Sequence, residues 1–207
     1  MRWKASRLSV AFVASLLVTF GTISYSYYYF HAAGPLTERT TVLFRKGTGF
    51  RQIVDKMAEA GVIDHPLLFR ARAVLSGDAR RFKAGEYDFS AAISPRLIMD
   101  MIAEGRVVVH KITVAEGLNV RQVTALLNAE ELLEGVIVLN IDEGSLLPQT
   151  YHYVYGDQRQ EMIGRMQRGM QSTFDELWEG RAKNLPFATQ KEALTLAYTM
   201  VKDFCVF

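Results

Sequence analysis

The chain has 207 residues, 49% of them hydrophobic, and its 24 lysines and arginines nearly balance 22 aspartates and glutamates, for a net charge of +2. This balance does not provide the strongly basic face that binding to nucleic-acid phosphates requires, so no nucleic-acid partner is predicted. Because Cys205 is the only cysteine, an intramolecular disulfide is excluded.

The N-terminus begins with a basic leader, residues 1–7, followed by an uncharged run at 8–30. A helix over that run would be roughly 35 Å long, enough to cross a hydrocarbon core of about 30 Å. Positive charge on the leader favours a cytoplasmic N-terminus. The sequence therefore predicts a transmembrane anchor at 8–30, with the folded part outside the cytoplasm. A cleaved signal peptide is the alternative, but the run is long for one and the residues after it resemble a cleavage site only weakly.

A short tether and two domains are predicted after the anchor. Residues 31–39 contain Gly34 and Pro35 and no apolar period, which is typical of a linker. The residues that follow suit one or two small domains. An internal repeat favours two, at 40–110 and 111–207, and the predicted fold class is α+β.

The repeat relates residues 42–53 to residues 112–123. Alternating apolar residues precede a glycine in each copy, and apolar residues at helical spacing follow it, so each copy predicts a strand, a turn and a helix. The matching polar and glycine positions are Gly47 with Gly117, Arg51 with Arg121 and Gln52 with Gln122.

Start and stop signals predict the other elements. Pro66 and Pro95 open helices that close near Gly77 and Gly105. Strands are expected at 41–45, 86–89 and 106–113. An apolar stripe at 162–178 predicts a helix that faces the core, and Thr189 with Glu192 forms a capping box that opens a last helix.

The residue types that usually carry chemistry do not cluster. The four histidines lack metal-ligand spacing, Cys205 has no activating neighbours, and no glycine pattern resembles a phosphate loop. The sequence therefore predicts neither a metal site nor a cofactor. The histidines are His31, His65, His110 and His152.

Acidic and aromatic segments are more informative. These are 83–87 (KAGEY), 113–117 (TVAEG), 143–151 (EGSLLPQTY) and 194–197 (LTLA). In order and spacing they resemble the endolytic murein transglycosylases, also called the YceG-like family. The resemblance covers nearly the whole chain, and the segment at 143–151 is its most specific motif.

The resemblance implies a bacterial inner-membrane lyase with a single anchor and its folded part in the periplasm. Such a lyase cleaves peptidoglycan glycan strands between N-acetylmuramic acid and N-acetylglucosamine and leaves 1,6-anhydro ends. It implies a LysM-like module at 40–110 before the catalytic part at 111–207, with no cofactor. Peptidoglycan strands are the expected partner, and cell-wall synthesis proteins are further candidates.

One position departs from the family pattern. The family's helix continues as Ser-x-Val-Glu-Lys-Glu, and its first glutamate is the catalytic acid; here Val201 stands at that position. Valine cannot donate a proton, so no catalytic residue is predicted. Asp203 lies two positions on, about 200° around a helix, and would point away from the family's cleft.

The family's later Asn-Arg-Leu and Asp-Pro-Thr-Val segments are also absent from the sequence. The expectation is an inactive copy with an incomplete catalytic domain, shortened by a frameshift or truncation. A natural short, non-catalytic variant is the alternative.

Four residues of the 143–151 segment are the predicted substrate-binding residues: Glu143, Pro148, Thr150 and Tyr151. A structural turn, with Tyr151 packed in the core, explains the same residues equally well. For the whole chain, a glycan-binding or scaffold protein of cell-wall synthesis is the alternative function. An aminodeoxychorismate lyase that uses pyridoxal phosphate fits poorly, because a folate-pathway enzyme does not belong outside the cytoplasm.

Overall fold

The computed structural model describes residues 2–138, 140–182, 185–186, 188–189, 192–197 and 199. The chain divides into two compact units, Met1–Val108 and Val109–Phe207. Each unit pairs two antiparallel strands and packs helices around its own apolar core.

The first unit is built around a two-stranded sheet. Strands β1 and β2 pair with Thr40 opposite Phe89 and Phe44 opposite Gly85. The core takes side chains from both strands and from the helices that follow them. In chain order its elements are α1 (Arg2–His31), β1 (Thr40–Phe44), α2 (Phe50–Glu59), α3 (Pro66–Leu75), a 3₁₀ turn (Asp78–Arg80), β2 (Gly85–Phe89) and α4 (Pro95–Glu104).

Helix boundaries in this unit follow the predicted signals. The Ser94 hydroxyl accepts a hydrogen bond from the Leu97 amide, and Pro95 occupies the first turn of α4, where its missing N–H costs nothing. Gly105 ends the helix in the left-handed conformation, which glycine adopts without a steric penalty. The predicted frame of α4 is therefore confirmed.

The predicted transmembrane anchor at 8–30 is wrong. Within the part of the chain that the structure describes, no helix has both the length and the apolar character to cross a membrane. A continuous helix, α1, does form there, but its residues from 24 to 29 are serines and tyrosines. Phe30 is only 3% exposed and stacks on Phe69 in the core of the first unit. A span needs about 20 predominantly apolar residues. The run at 8–30 is uncharged over its whole length, but it is not apolar over its whole length. The described chain is a mixed helix and strand structure without a spanning helix.

The second unit also pairs two antiparallel strands, and the helix after its returning strand is longer than in the first unit, 21 residues against 10. Strands β3 and β4 pair with His110 opposite Tyr153 and Thr113 opposite Thr150. Residues 192–197 are also helical. The elements are β3 (His110–Thr113), α5 (Val120–Ala129), β4 (Thr150–Tyr153) and α6 (Arg159–Glu179).

The predicted repeat of strand, turn and helix is confirmed in both units. Gly47 and Gly117 both turn the chain in the left-handed conformation, with φ of 83° and 80°. At the start of each following helix a glutamine side chain accepts the N-cap amide, at 3.3 Å for Gln52 and 2.9 Å for Gln122. These bonds satisfy amides that a helix N-terminus leaves without partners.

The equivalence extends to the returning strands, which the sequence repeat does not reach. Tyr87 lies opposite Val42 and Tyr151 opposite Ile112. Each tyrosine is buried, and each donates its hydroxyl to the backbone carbonyl four residues earlier, at 3.0 Å and 2.8 Å respectively. Both tyrosine side chains are therefore buried with their hydroxyl groups hydrogen-bonded.

Arg159 ties α6 to the end of α5. Its guanidinium donates to the carbonyls of Leu127, Gly135 and Glu130, at 3.0, 3.0 and 2.7 Å. The last carbonyls of a helix lack intrahelical partners and carry the negative end of the helix dipole, so a cation there is favourable. The start of α6 is fixed by this contact.

Candidate functional site

A solvent-accessible cavity of about 820 Å³ lies in the second unit. Its walls are the loop before β4, one face of α6 and the helical segment at 192–197. The lining residues are Asp142, Glu143, Gly144 and Ser145 from the loop, Gln167, Arg168, Met170, Gln171 and Phe174 from α6, and Leu194 and Thr195 from the helical segment.

Glu143 is held in the loop wall by the start of α5. Its Oε2 accepts a hydrogen bond of 3.0 Å from the Val120 amide, in the first turn of the helix, where negative charge is favoured by the dipole. Ser145 closes the turn by donating its amide and its hydroxyl to the Asp142 carbonyl, at 3.2 and 2.6 Å. No described residue makes a hydrogen bond to the second oxygen of Glu143, Oε1. Glu143 therefore combines a structural bond with a position on the cavity wall.

Glycines bring the three walls together. The Leu147 amide donates to the Met166 carbonyl, and a Cβ on Gly169 would lie 3.2 Å from the Leu147 side chain. The loop thus packs directly on α6. Gly144 has a φ of 78°, and a Cβ there would lie 3.4 Å from Leu194. A side chain at Gly169 would press on Leu147, whereas one at Gly144 would contact Leu194 normally but would be strained by the positive φ.

The α6 wall combines amide groups with an aromatic ring. Gln167, Gln171 and Phe174 follow one another at spacings of four and three residues, which puts them on one face of the helix. The Gln171 amide donates to Asp175 at 2.8 Å, and the half-buried Phe174 ring stacks on Trp178 with the centroids 6.3 Å apart. Apolar surface with a few placed polar groups is the usual make-up of a ligand site.

Of the four predicted substrate-binding residues, only Glu143 lines the cavity. Pro148 is exposed in the loop outside it. The Thr150 hydroxyl forms a hydrogen bond of 2.9 Å with the hydroxyl of Thr113 across the sheet. Tyr151 is buried with its hydroxyl on the Leu147 carbonyl, and burial raises the pKa of its phenol. Its contacts are those of the structural alternative, and substrate binding by the four residues stays a prediction.

Sequence reasoning missed the contribution of α6. The apolar stripe was expected to be core throughout, and Met162, Ile163 and Met166 are indeed buried. Beyond Met166 the stripe leaves the core: Phe174 lines the cavity and Leu177 is 68% exposed. The available signal was the polar residues and glycines that interrupt the stripe after position 163.

Some predicted positions lie outside the described residues. These are Val201, where the family's catalytic acid would fall, and Asp203 and Cys205. Within the described ranges, no three histidine, cysteine, aspartate or glutamate side chains are grouped so as to hold a metal ion.

The model of the YceG-like family matches residues 42–202. The chain belongs to the YceG-like family. That family is related to the lytic transglycosylases of murein, so this YceG-like chain belongs with cell-wall proteins at the family level. No curated protein is significantly similar to it.

A solved structure of a YceG-like protein from Listeria monocytogenes is similar to this YceG-like chain. The two are 20% identical, with a TM-score of 0.34. The match covers 67% of this chain and 56% of the Listeria chain. This YceG-like chain therefore spans little more than half of that protein.

Proposed function

We propose that this chain binds the glycan strands of peptidoglycan in the cavity of its second unit. Family membership supports murein as the substrate class. The observation that carries the proposal is the cavity itself, because Glu143, the first residue of the most family-specific motif, lines it together with Gln171 and Phe174. Amide and carboxylate groups can bond sugar hydroxyls and acetamido groups, while the aromatic ring and Leu194 can cover the apolar face of a sugar ring.

The finer proposal is that this chain binds strands without cutting them. The family's reaction is endolytic cleavage between N-acetylmuramic acid and N-acetylglucosamine. In it, one carboxylic acid protonates the glycosidic oxygen and then, as a carboxylate, takes the proton of the C6 hydroxyl, which closes onto C1 to give the 1,6-anhydro end. The residue at the corresponding position is Val201, which can perform neither proton transfer.

This function requires the two units to meet peptidoglycan, which lies outside the cytoplasmic membrane. We therefore propose an extracytoplasmic location for them. Cell-wall synthesis proteins, which work on the same polymer, are candidate partners.

Co-sedimentation with purified sacculi tests the binding. The full chain should pellet with sacculi, and Phe174→Ala should weaken the binding because it removes the aromatic wall of the cavity. Leu177→Ala is the matched control, since Leu177 lies on the same helix, 68% exposed, and outside the cavity. Equal loss in both variants, or no binding of the wild-type chain, would refute a glycan site in this cavity.

Mass spectrometry of the products released from sacculi incubated with the chain tests the absence of cleavage. We expect no 1,6-anhydro muropeptides above background from the wild-type chain. If they appear, the chain is catalytic, and the acid must then be sought first at Glu143 with a Glu143→Gln variant. Restored cleavage in Val201→Glu would identify position 201 as the missing acid.

A further inference from the structure

The first half of α6 carries three arginines, and two of them are used by the fold. Arg159 donates to three backbone carbonyls around the end of α5. Arg165 donates to the His152 carbonyl at 3.0 Å and pairs with Asp157 at 3.1 Å. Both side chains hold α6 against neighbouring chain segments.

Arg168 is different, because the fold does not use it. It is exposed and lines the cavity. Among the described residues, no carboxylate or carbonyl accepts a hydrogen bond from its guanidinium. The five N–H donors of an arginine side chain are thus available to a ligand at this wall.

Gly164 provides space for that guanidinium. A Cβ at this position would lie 3.2 Å from Nη1 of Arg168, because a helical side chain leans back over the preceding turn. Glycine inside a helix costs about 1 kcal/mol relative to alanine. In α6 this destabilising residue occurs beside the Arg168 guanidinium.

The charges on the facing walls restrict what Arg168 can bind. A guanidinium matches a carboxylate best, since its planar fork donates two parallel hydrogen bonds. Neutral hydroxyl and acetamido groups are already matched by the amides of Gln167 and Gln171. On the loop wall, Asp142 and Glu143 would repel an anion. An anionic group of a ligand therefore belongs on the α6 side.

We infer that Arg168 determines specificity by binding a carboxylate of the glycan, so that the site distinguishes strands containing muramic acid from neutral amino-sugar polymers. This rests on the proposed function. In peptidoglycan only muramic acid carries a lactyl group with a carboxyl, and the stem peptides attached to that group end in further carboxylates. The shared chemistry is a carboxylate on every second sugar, which fixes the register of a strand in the cavity.

Isothermal titration of the full chain with three glycans of equal length tests the inference. The first is a chitin oligomer without carboxylates, the second a peptide-free muramyl glycan with free lactyl groups, and the third a glycan that keeps its stem peptides. The wild-type chain should bind at least one muramyl glycan more tightly than chitin. Preference for the second identifies the lactyl carboxylate, and preference for the third a stem carboxylate.

Variants of Arg168 should remove that preference, because they weaken binding of the preferred muramyl glycan more than binding of chitin. Arg168→Gln should bind the preferred glycan about 10- to 100-fold more weakly, the loss expected for hydrogen bonds between charged groups. Arg168→Lys keeps the charge without the fork and should lose less. Arg121→Gln, an exposed arginine of the same unit outside the cavity, is the matched control and should behave like the wild type.

Two outcomes overturn the inference. The first is that the wild type binds chitin and muramyl glycans equally, or that Arg168→Gln weakens binding of both to the same extent. Arg168 then does not bind a carboxylate of the glycan, but the proposed glycan binding is not contradicted. If the wild type binds none of the three glycans, the proposed function fails and the inference with it. Circular dichroism of Arg168→Gln should match the wild type, because the fold does not use this side chain.

Discussion

The bond between Glu143 and α5 makes a quantitative prediction for Glu143→Ala. The substitution removes a 3.0 Å hydrogen bond to the Val120 amide and a negative charge from the helix N-terminus. Because Glu143 is exposed, the bond is worth about 1 kcal/mol, and the dipole contributes about 0.3 to 1 kcal/mol. The expected loss in the free energy of unfolding is about 1.5 kcal/mol, which lowers the melting temperature of a unit of this size by roughly 6 to 12 °C.

Thermal unfolding followed by circular dichroism measures this loss, with Glu143→Gln as the informative comparison. Glutamine keeps the acceptor oxygen and removes the charge, so it should cost about 0.5 kcal/mol. Glu116→Ala is the control, as an exposed glutamate of the same unit, and should stay within about 0.5 kcal/mol of the wild type. If Glu143→Ala melts with the wild type, the bond to α5 contributes nothing to folding. A loss of glycan binding by Glu143→Gln, with stability nearly unchanged, would assign the side chain to the ligand.

Three further predictions concern stability. Arg159→Met removes three hydrogen bonds and should cost about 3 kcal/mol in urea unfolding; an unchanged midpoint would contradict its role. Phe30→Ala empties a core site and should cost about 3 kcal/mol, whereas Tyr28→Ala, at a 71% exposed position of the same helix, should cost little; equal effects would show that α1 is not docked. Burial raises the pKa of Tyr87 to about 12, so the folded state keeps a proton that an unfolded tyrosine loses near pH 10. Stability should therefore fall as the pH rises from about 10 to 12, and Tyr87→Phe should show a shallower decline in melting temperature; parallel curves would refute this.

Local patterns predicted most elements because the bonds that define them are local. The boundaries of α4 follow from Ser94, Pro95 and Gly105, which act within a few residues of one another. The two copies of the repeat follow from Gly47 and Gly117 and the apolar spacing around them. Such signals depend on turn and cap chemistry that the sequence displays directly.

Long-range contacts explain what the sequence could not predict. Glu143 meets Val120 and Arg159 meets Leu127 across 23 and 32 residues, and neither pair has a spacing that indicates contact. The anchor prediction at 8–30 counted the serines and tyrosines at 24–29 as part of the span, and it did not foresee that Phe30 packs in the core of the first unit. The cavity was only partly predictable for the same reason: the motif identified Glu143, but which α6 residues line the same cavity depends on how the loop packs at Gly169.

Because Tyr87 and Tyr151 occupy equivalent positions, the two units can be compared position by position. Both copies hold the left-handed glycine, the glutamine cap and the buried tyrosine. This is the pattern expected of an ancestral duplication, in which one copy diverges while the shared frame is maintained. The Glu143 loop and the 21-residue α6 are where the second unit differs from the first, whose α4 has 10 residues. Selection for a ligand should therefore be sought there, and substitutions at the shared positions should act alike in both halves.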